Sequence, residues 1–196
     1  MSDIRRSTLS LPRDVLWAKA DWSPDKEHRY ALTWATAEPS SPLPVFVGMN
    51  PSGASETAAD RTLLWNWQSA RRKAEGFTML NLLSFRCTWP WDLLQTDAPN
   101  GPENDDVLRR HLTEAPYVVA CWGGPPRVPK EAEPDPVRRK VGTKKLQALH
   151  EERVDFVRQL LQDLDKTTLC LGVTGQGHPR HPSRLGYDVP LISFSS

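Results

Sequence analysis

The chain has 196 residues, 38% of them apolar and 25% charged, which suits one globular domain with a substantial core and is slightly short for two. Lysine and arginine outnumber aspartate and glutamate by 25 to 24, so the basic excess of proteins that hold duplex nucleic acid mainly by its phosphates is absent. No apolar run approaches the roughly 20 residues of a membrane helix, and the opening MSDIRRSTLSLPRD lacks the apolar stretch of a secretory signal.

Three cysteines, Cys87, Cys121 and Cys170, lie far apart without a C-x-x-C pair. That excludes a disulfide framework and a cysteine-ligated zinc or iron–sulfur site, and fits small buried residues of a reducing cytoplasm. Eight tryptophans against three tyrosines and five phenylalanines are the compositional oddity.

Residues 1–27 show neither apolar period and are expected to form an irregular arm, with residues 28–196 as a single α/β domain. RYALTWA (29–35) has the makings of a short strand, and VFVGM (45–49) reads as a buried parallel strand. After the loop NPSGASETAAD, Asp60 is placed to cap a helix running to about Ala74, with Leu63, Trp67 and Ala70 on one face and Gly76 as its stop. FTMLNLLSF (77–85) is the next buried strand. A shorter helix then carries Leu108, Leu112 and Ala115, followed by the strand YVVACW (117–122). The segment at about 124–140 is rich in proline and charge and is expected to be a mobile insertion. The strongest helical period spans about 143–164, through Leu146, Leu149, Val157, Leu160 and Leu164; TLCLGV (168–173) and LISF complete the strands.

Strands alternating with helices predict a three-layer α/β/α domain around a central, mostly parallel sheet containing 45–49, 77–83, 117–122 and 168–172. Such sheets bind ligands beyond the carboxyl ends of their strands. Four polar loops fall there: NPSG, SFRCTWPW, WGGPPR and GHPRHPS.

Asn50 can orient a water or a ligand edge, since its amide both donates and accepts; Asn-Pro-Ser-Gly is equally an ordinary turn. His178 and His181, with Arg180, Ser183 and Arg184, can hold an anion or meet charge on a leaving group; a rigid solvated loop is the plain alternative. Two histidines three apart lack a neighbouring carboxylate or cysteine pattern to complete a ligand set, so no metal is expected. Asn81 must find partners if buried. Arg86 stands where it can reach a phosphate or carboxylate. Trp122 reads as a ligand face beside Gly123-Gly124 or as a core residue, and Trp89 and Trp91 as base-stacking platforms or as packing. No G-x-x-x-x-G-K-[ST] or G-x-G-x-x-G stands in a strand–helix context and no G-x-S-x-G elbow is present, so no nucleotide cofactor is expected.

Together, RYAL (29–32), GMNPS (48–52), NLLSFR (81–86), GPEN (101–104), WG (122–123) and GHPRHP (177–182) resemble a bacterial family, domain of unknown function 1643, over about residues 22–187. The order GMNPS, then an aromatic loop, then WG, then HPSRL (181–185) is also similar to the uracil-DNA glycosylase superfamily. That likeness implies a uracil-DNA glycosylase-like fold and a hydrolase that releases a base from DNA or a nucleoside. Asn50 would place the hydrolytic water, His181 would stabilise the departing base, and Leu185 would be the wedge inserted into DNA. Ser52, Asn81, Arg86, Trp89, Trp122, His178, Ser183 and Arg184 would contact substrate. Arg184 stands where that motif has a second proline, and Ser52 where one branch has glycine.

The expected partner is therefore nucleic acid or a nucleotide-like small molecule, in the cytoplasm and away from membranes. The same pocket also suits a non-catalytic module that binds a nucleotide or modified base, or a small-molecule enzyme reusing the fold.

Overall fold

In the computed structural model, residues 9–195 are described, apart from the side chain of Arg184. Seven strands form one sheet: β1 (Trp17–Trp22), β2 (Arg29–Ala35), β3 (Val45–Gly48), β4 (Gly76–Asn81), β5 (Val118–Ala120), β6 (Thr168–Cys170) and β7 (Ile192–Ser193), in the order β1-β2-β4-β3-β5-β6-β7. Three helices accompany them: α1 (Arg61–Ala70), α2 (Asn104–Glu114) and α3 (Pro136–Asp163). Among the described residues no helix is long and apolar enough to cross a membrane.

The four strands read as buried do pair in parallel, β4-β3-β5-β6, and their short Val/Leu/Phe runs are covered on both sides. The expectation of a mostly parallel sheet is nevertheless corrected. Three of the six pairings are antiparallel and carry more than half of the paired residues. The difference comes largely from the amino-terminal segment. Residues 17–22, expected within an irregular arm, form edge strand β1, hairpinned onto β2 through Ser23-Pro24-Asp25-Lys26. Asp25 accepts from Ser23 Oγ and the Glu27 N–H, and Lys26 takes the left-handed conformation, so Ser-Pro-Asp was a turn signal. Small Ala18 and Ala20 face the core where larger residues would have made the alternation visible. Residues 1–8 of the expected arm lie outside the described residues.

Alternation along the strands sends side chains to two cores. Val45, Val47, Leu80, Val118 and Ala120 meet Leu108 and Leu112 of α2 and Leu146, Val154 and Val157 of α3 on one face. Phe46, Phe77, Met79 and Val119 meet Leu63, Trp65, Trp67 and Ala70 of α1 on the other. Half of the tryptophans are thus explained: Trp34, Trp65, Trp67 and Trp122 are fully buried. The thiols of Cys87, Cys121 and Cys170 are free and buried, as expected.

Helix boundaries follow their caps. Asp60 accepts from the Leu63 N–H, as the sequence indicated, but α1 ends at Ala70 rather than near Ala74, and Gly76 opens β4 instead of stopping a helix. α3 begins well before residue 143, because Asp135 accepts from the Val137 and Arg138 N–H groups and Pro136 takes the first helical position. Part of the proline-rich insertion is therefore helix. At 28 residues α3 is about 42 Å long, and His150, near its middle, lies against the Gly123 backbone just past β5. Its amino-terminal half consequently extends beyond the carboxyl end of the sheet.

That end is fastened by one polar network. Asn104, the last residue of GPEN, donates to the carbonyls of Asn81 and Leu82 and to Asn100 Oδ1. Arg153 of α3 donates to the Leu82 carbonyl and, at 2.6 Å, to Asp105 Oδ1. Burial works to raise the Asp105 carboxyl, but hydrogen bonds from Arg153 and Asn100 and the Arg153 charge together hold it below its ordinary value of 3.8. Asp105→Ala is expected to cost about 0.5–1.5 kcal/mol, since the carboxylate is partly solvent-screened and Arg153 keeps its bond to the Leu82 carbonyl. Because the folded value is depressed, that contribution is complete above pH 3.8 and fades below it. Urea titrations of both proteins at neutral and acid pH check this; an unchanged midpoint at neutral pH contradicts it.

Candidate functional site

β3 lies between the two directions of the chain: β3-α1-β4 moves one way across the sheet, while β5 and β6 lie on β3's other side with α2 and α3 on the opposite face. A crevice beyond the carboxyl ends of β3 and β5 is where such a reversal places ligands. Asn50 follows β3 and Gly123 follows β5.

Main-chain bonds zip the β3 and β4 loops together: Leu82 N–H to Gly48 O, Leu83 N–H to Met49 O and Cys87 N–H to Pro51 O, at 2.9–3.0 Å. Within this ladder Asn50 Nδ2 donates to the carbonyls of Cys87 (2.8 Å) and Pro51 (3.0 Å) and touches Cys87 Sγ at 3.3 Å. A reversed amide would set Oδ1 against two carbonyl oxygens, so the network fixes which atom points inward. Oδ1 accepts nothing from the described residues. Burial pushes the Cys87 thiol up to about 12, with Asp92 adding to the rise, so it is a neutral packing group and not a thiolate nucleophile.

The loop around Asn50 is held from below by Arg29, the first residue of RYAL. Arg29 is buried and donates to the Ala54 carbonyl at 2.5 Å. Burial pushes its guanidinium down to about 10, with Asp60 and Glu56 pulling it up and Arg86 adding to the depression, so it stays charged at neutral pH. Sequence reasoning passed over Arg29, although an arginine opening an otherwise apolar strand was its signal. Ser52 donates to Asp60 Oδ2 at 2.6 Å, and its carbonyl accepts from Arg86 Nε at 3.2 Å. Arg86 also lies over the Trp22 ring at 5.3 Å. Ser52 and Arg86 therefore act together with Asn50 as one braced loop pair.

Asn81, paired with Gly48 across the β3–β4 ladder, is 1% exposed, and neither Nδ2 nor Oδ1 has a partner among the described residues. A buried amide left so costs about 1–3 kcal/mol per atom unless a water or other group meets it. Gly48 makes room for it, since a Cβ there would lie 3.2 Å from Asn81 Oδ1.

On the β5–β6 side, a tight turn at 174–177 carries GHPRHP back towards the sheet, with Arg180 N–H bonded to the Gly172 carbonyl. His181 Cβ sits 3.3 Å from where a Cβ on Gly123 would be, and Gly123 has φ +79, so glycine is needed twice over. Ser183 N–H donates to His181 Nδ1 at 3.2 Å and Ser183 Oγ lies 2.9 Å from it. In a neutral ring an accepting Nδ1 leaves the proton on Nε2.

The remaining candidate residues are placed as follows. Trp122 is 1% exposed, edge-on to Phe194 in the core, and offers no face to a ligand. Leu185 packs half-buried against the α1-side core, where a residue used as a DNA wedge would project. Trp89 and Trp91 stack on each other at 4.8 Å, with Trp89 41% exposed. The Arg184 side chain lies outside the described residues.

His178 turns away from His181 towards α3. Its Nε2 is 3.5 Å from Glu151 Oε1, and its ring meets His150 edge-on at 5.6 Å. Burial pushes the His150 imidazole down to about 4, the neighbouring His178 and Arg158 push the same way, and the Gly123 backbone opposes them. His150 and Glu151 were missed because nothing in their helical context sets them apart, and because 28 residues separate His150 from His178.

Two open depressions lie away from this constellation. One of about 340 Å³, lined by Thr33, Pro42, Thr78 and His111, is at the amino ends of the parallel strands. The other, about 490 Å³, runs along Arg127, Arg139, Lys140 and Lys144 on the protruding half of α3. Unpaired polar groups of Asn50 and Asn81, rather than concavity, mark the strand ends among the described residues.

No curated protein and no solved structure matches the chain. A family model described as "Protein of unknown function (DUF1643)" matches residues 29–183. That span holds Arg29, Asn50, Asn104 and His181, the motif residues seen here bracing or lining one sheet end. The chain belongs to this family.

Proposed function

We propose that the carboxyl end of the sheet recognises a nucleobase and that the protein is an N-glycosidase, hydrolysing the bond between a base and its sugar in a uracil-DNA glycosylase-like, three-layer domain. The observation that carries this reading is Asn50. Its amide nitrogen is anchored on two carbonyls while Oδ1 remains available to accept from a water, which is how a side chain orients a nucleophile rather than deprotonates it. The water oxygen bonds to the anomeric carbon as the glycosidic C–N bond breaks. The bonding pair leaves with the base, and the water's second proton passes to solvent.

His181, with its proton on Nε2, is suited to donate to an oxygen of the departing base as negative charge collects there. Asn81 supplies an unclaimed donor and acceptor side by side, matching the edge of a base. The cationic stretch Arg127, Arg139, Lys140 and Lys144 favours a polynucleotide over a free nucleoside, supplying locally the charge that the whole chain lacks.

A base-release assay on uracil, hypoxanthine and alkylated bases, each in single strands, mismatched duplexes and free nucleosides, tests the proposal. Release from a polynucleotide is expected, falling steeply with added salt. Binding without release would instead favour a recognition module, and neither release nor binding would remove the nucleobase reading altogether.

A further inference from the structure

We propose that His150, Glu151 and His178 form a binding site for one divalent transition-metal ion of the zinc class, with three protein ligands and a remaining position open to solvent. Glu151 Oε1 lies 3.7 Å from His150 Nδ1 and 3.5 Å from His178 Nε2, and one donor atom from each residue falls within 4.8 Å of the others. Four ligands about 2.0–2.1 Å from a tetrahedral zinc stand roughly 3.4 Å apart, so separations of 3.5 and 3.7 Å need only a small closure to become edges of such a polyhedron. They are too long for hydrogen bonds.

Among the described residues neither nitrogen of His150 makes a hydrogen bond of ordinary geometry, the Gly123 backbone being a polar group near the ring, although the side chain is 0% exposed; His178 Nδ1 is likewise buried and without such a bond. Buried imidazoles are ordinarily satisfied, and an ion held by His150 Nδ1 and His178 Nε2 beside Glu151 would satisfy one of these three atoms, His150 Nδ1. Neighbours on a helix diverge by about 100°, yet Glu151 brings its carboxylate to within reach of both rings. At 44% exposure Glu151 leaves the cluster open on one side, the arrangement of a site with an exchangeable position. Two imidazoles and one carboxylate select zinc-like ions over magnesium or calcium, which prefer all-oxygen ligand sets. Arg158, which donates to the Gly177 carbonyl beside His178, is the nearby opposing cation, and the Glu151 charge offsets it.

The sequence concealed this set. The pair that looked metal-like, His178 and His181, diverges, and the partner histidine comes with its carboxylate from α3. The inference does not depend on the N-glycosidase reading, since neither Asn50 nor His181 is a ligand.

The test is calorimetric titration of chelator-treated full-length protein with zinc chloride, paralleled by cobalt(II) absorption in the visible. One equivalent should bind, with the intense bands of a low-symmetry four- or five-coordinate cobalt ion. Glu151→Gln and His178→Gln should each weaken binding by more than the about 10–100-fold that outer-shell partners are worth. Glu151→Gln is half-exposed and should keep the metal-free melting temperature while losing the rise that zinc gives the parent. No stoichiometric uptake, no cobalt spectrum, or equal uptake by the parent and both variants would each overturn the site.

Discussion

Gly76→Ala is expected to destabilise the protein by at least about 3 kcal/mol, at the upper end of overpacking effects. A Cβ at Gly76 would lie 2.2 Å from the Trp34 carbonyl oxygen and 2.8 Å from both Cα and Cβ of Ala35. All are on β2, whose Trp34 and Ala35 pair directly with Phe77 and Gly76. No flexible side chain can yield there: the nearest atoms are backbone, and Trp34 is wholly buried with its ring against Phe77. The strand pair would have to separate at its start, unpacking Trp34 and Phe77 from the α1-side core. Gly175→Ala is the control, because a Cβ there meets nothing within 4 Å; it should stay within about 0.5 kcal/mol of the parent. Denaturant midpoints of the three proteins decide it, and equal midpoints for the two variants would contradict the packing argument.

Gly76 also marks the boundary of what the sequence discloses. A glycine after a helical period reads as a helix stop, and nothing local says that a strand 41 residues earlier needs it small. The parallel strands were legible because both faces are covered and their apolar runs are continuous. β1 was not, because an edge strand with alanines on its buried side has too little contrast to show a period. At the site, Asn50 and Asn81 stood out as polar residues at or within apolar strands, and His181 by its histidine- and proline-rich loop, both of which are local signals. Arg29, Asn104 and Arg153 brace those ends; Arg29 and Asn104 stood in the RYAL and GPEN motifs without showing a role, and Arg153 looks ordinary in sequence. Of the two readings open for Trp122 the core one holds, while Leu185, named by likeness of motif, packs partly buried against the α1-side core. The His150–Glu151–His178 set depends on where α3 passes the β5 end, which no spacing encodes.

The functional counterpart concerns Asn50 and His181. In the base-release assay Asn50→Ala should lower kcat by about 10²–10³-fold, the scale of losing one preorganised polar group at a reacting centre, while KM stays within a few-fold. The asymmetry follows from when the group acts: an oriented water matters as the C–N bond breaks, whereas ground-state contacts from Asn81 and from the separate cationic stretch on α3 persist. Asn50→Asp should be nearly as damaging despite its equal size. A carboxylate cannot donate to the Pro51 and Cys87 carbonyls that now hold the amide, so the oxygen left to meet the water would lose its fixed direction. His181→Ala should also cost turnover rather than binding, by about 2–4 kcal/mol in the barrier. Ser183→Ala should cost less, because the Ser183 backbone N–H would still hold Nδ1 when the hydroxyl is gone. Steady-state kinetics on one substrate with all four variants read these differences directly. Retained turnover in Asn50→Ala would refute the water-orienting role, and a loss confined to KM would reassign Asn50 to binding.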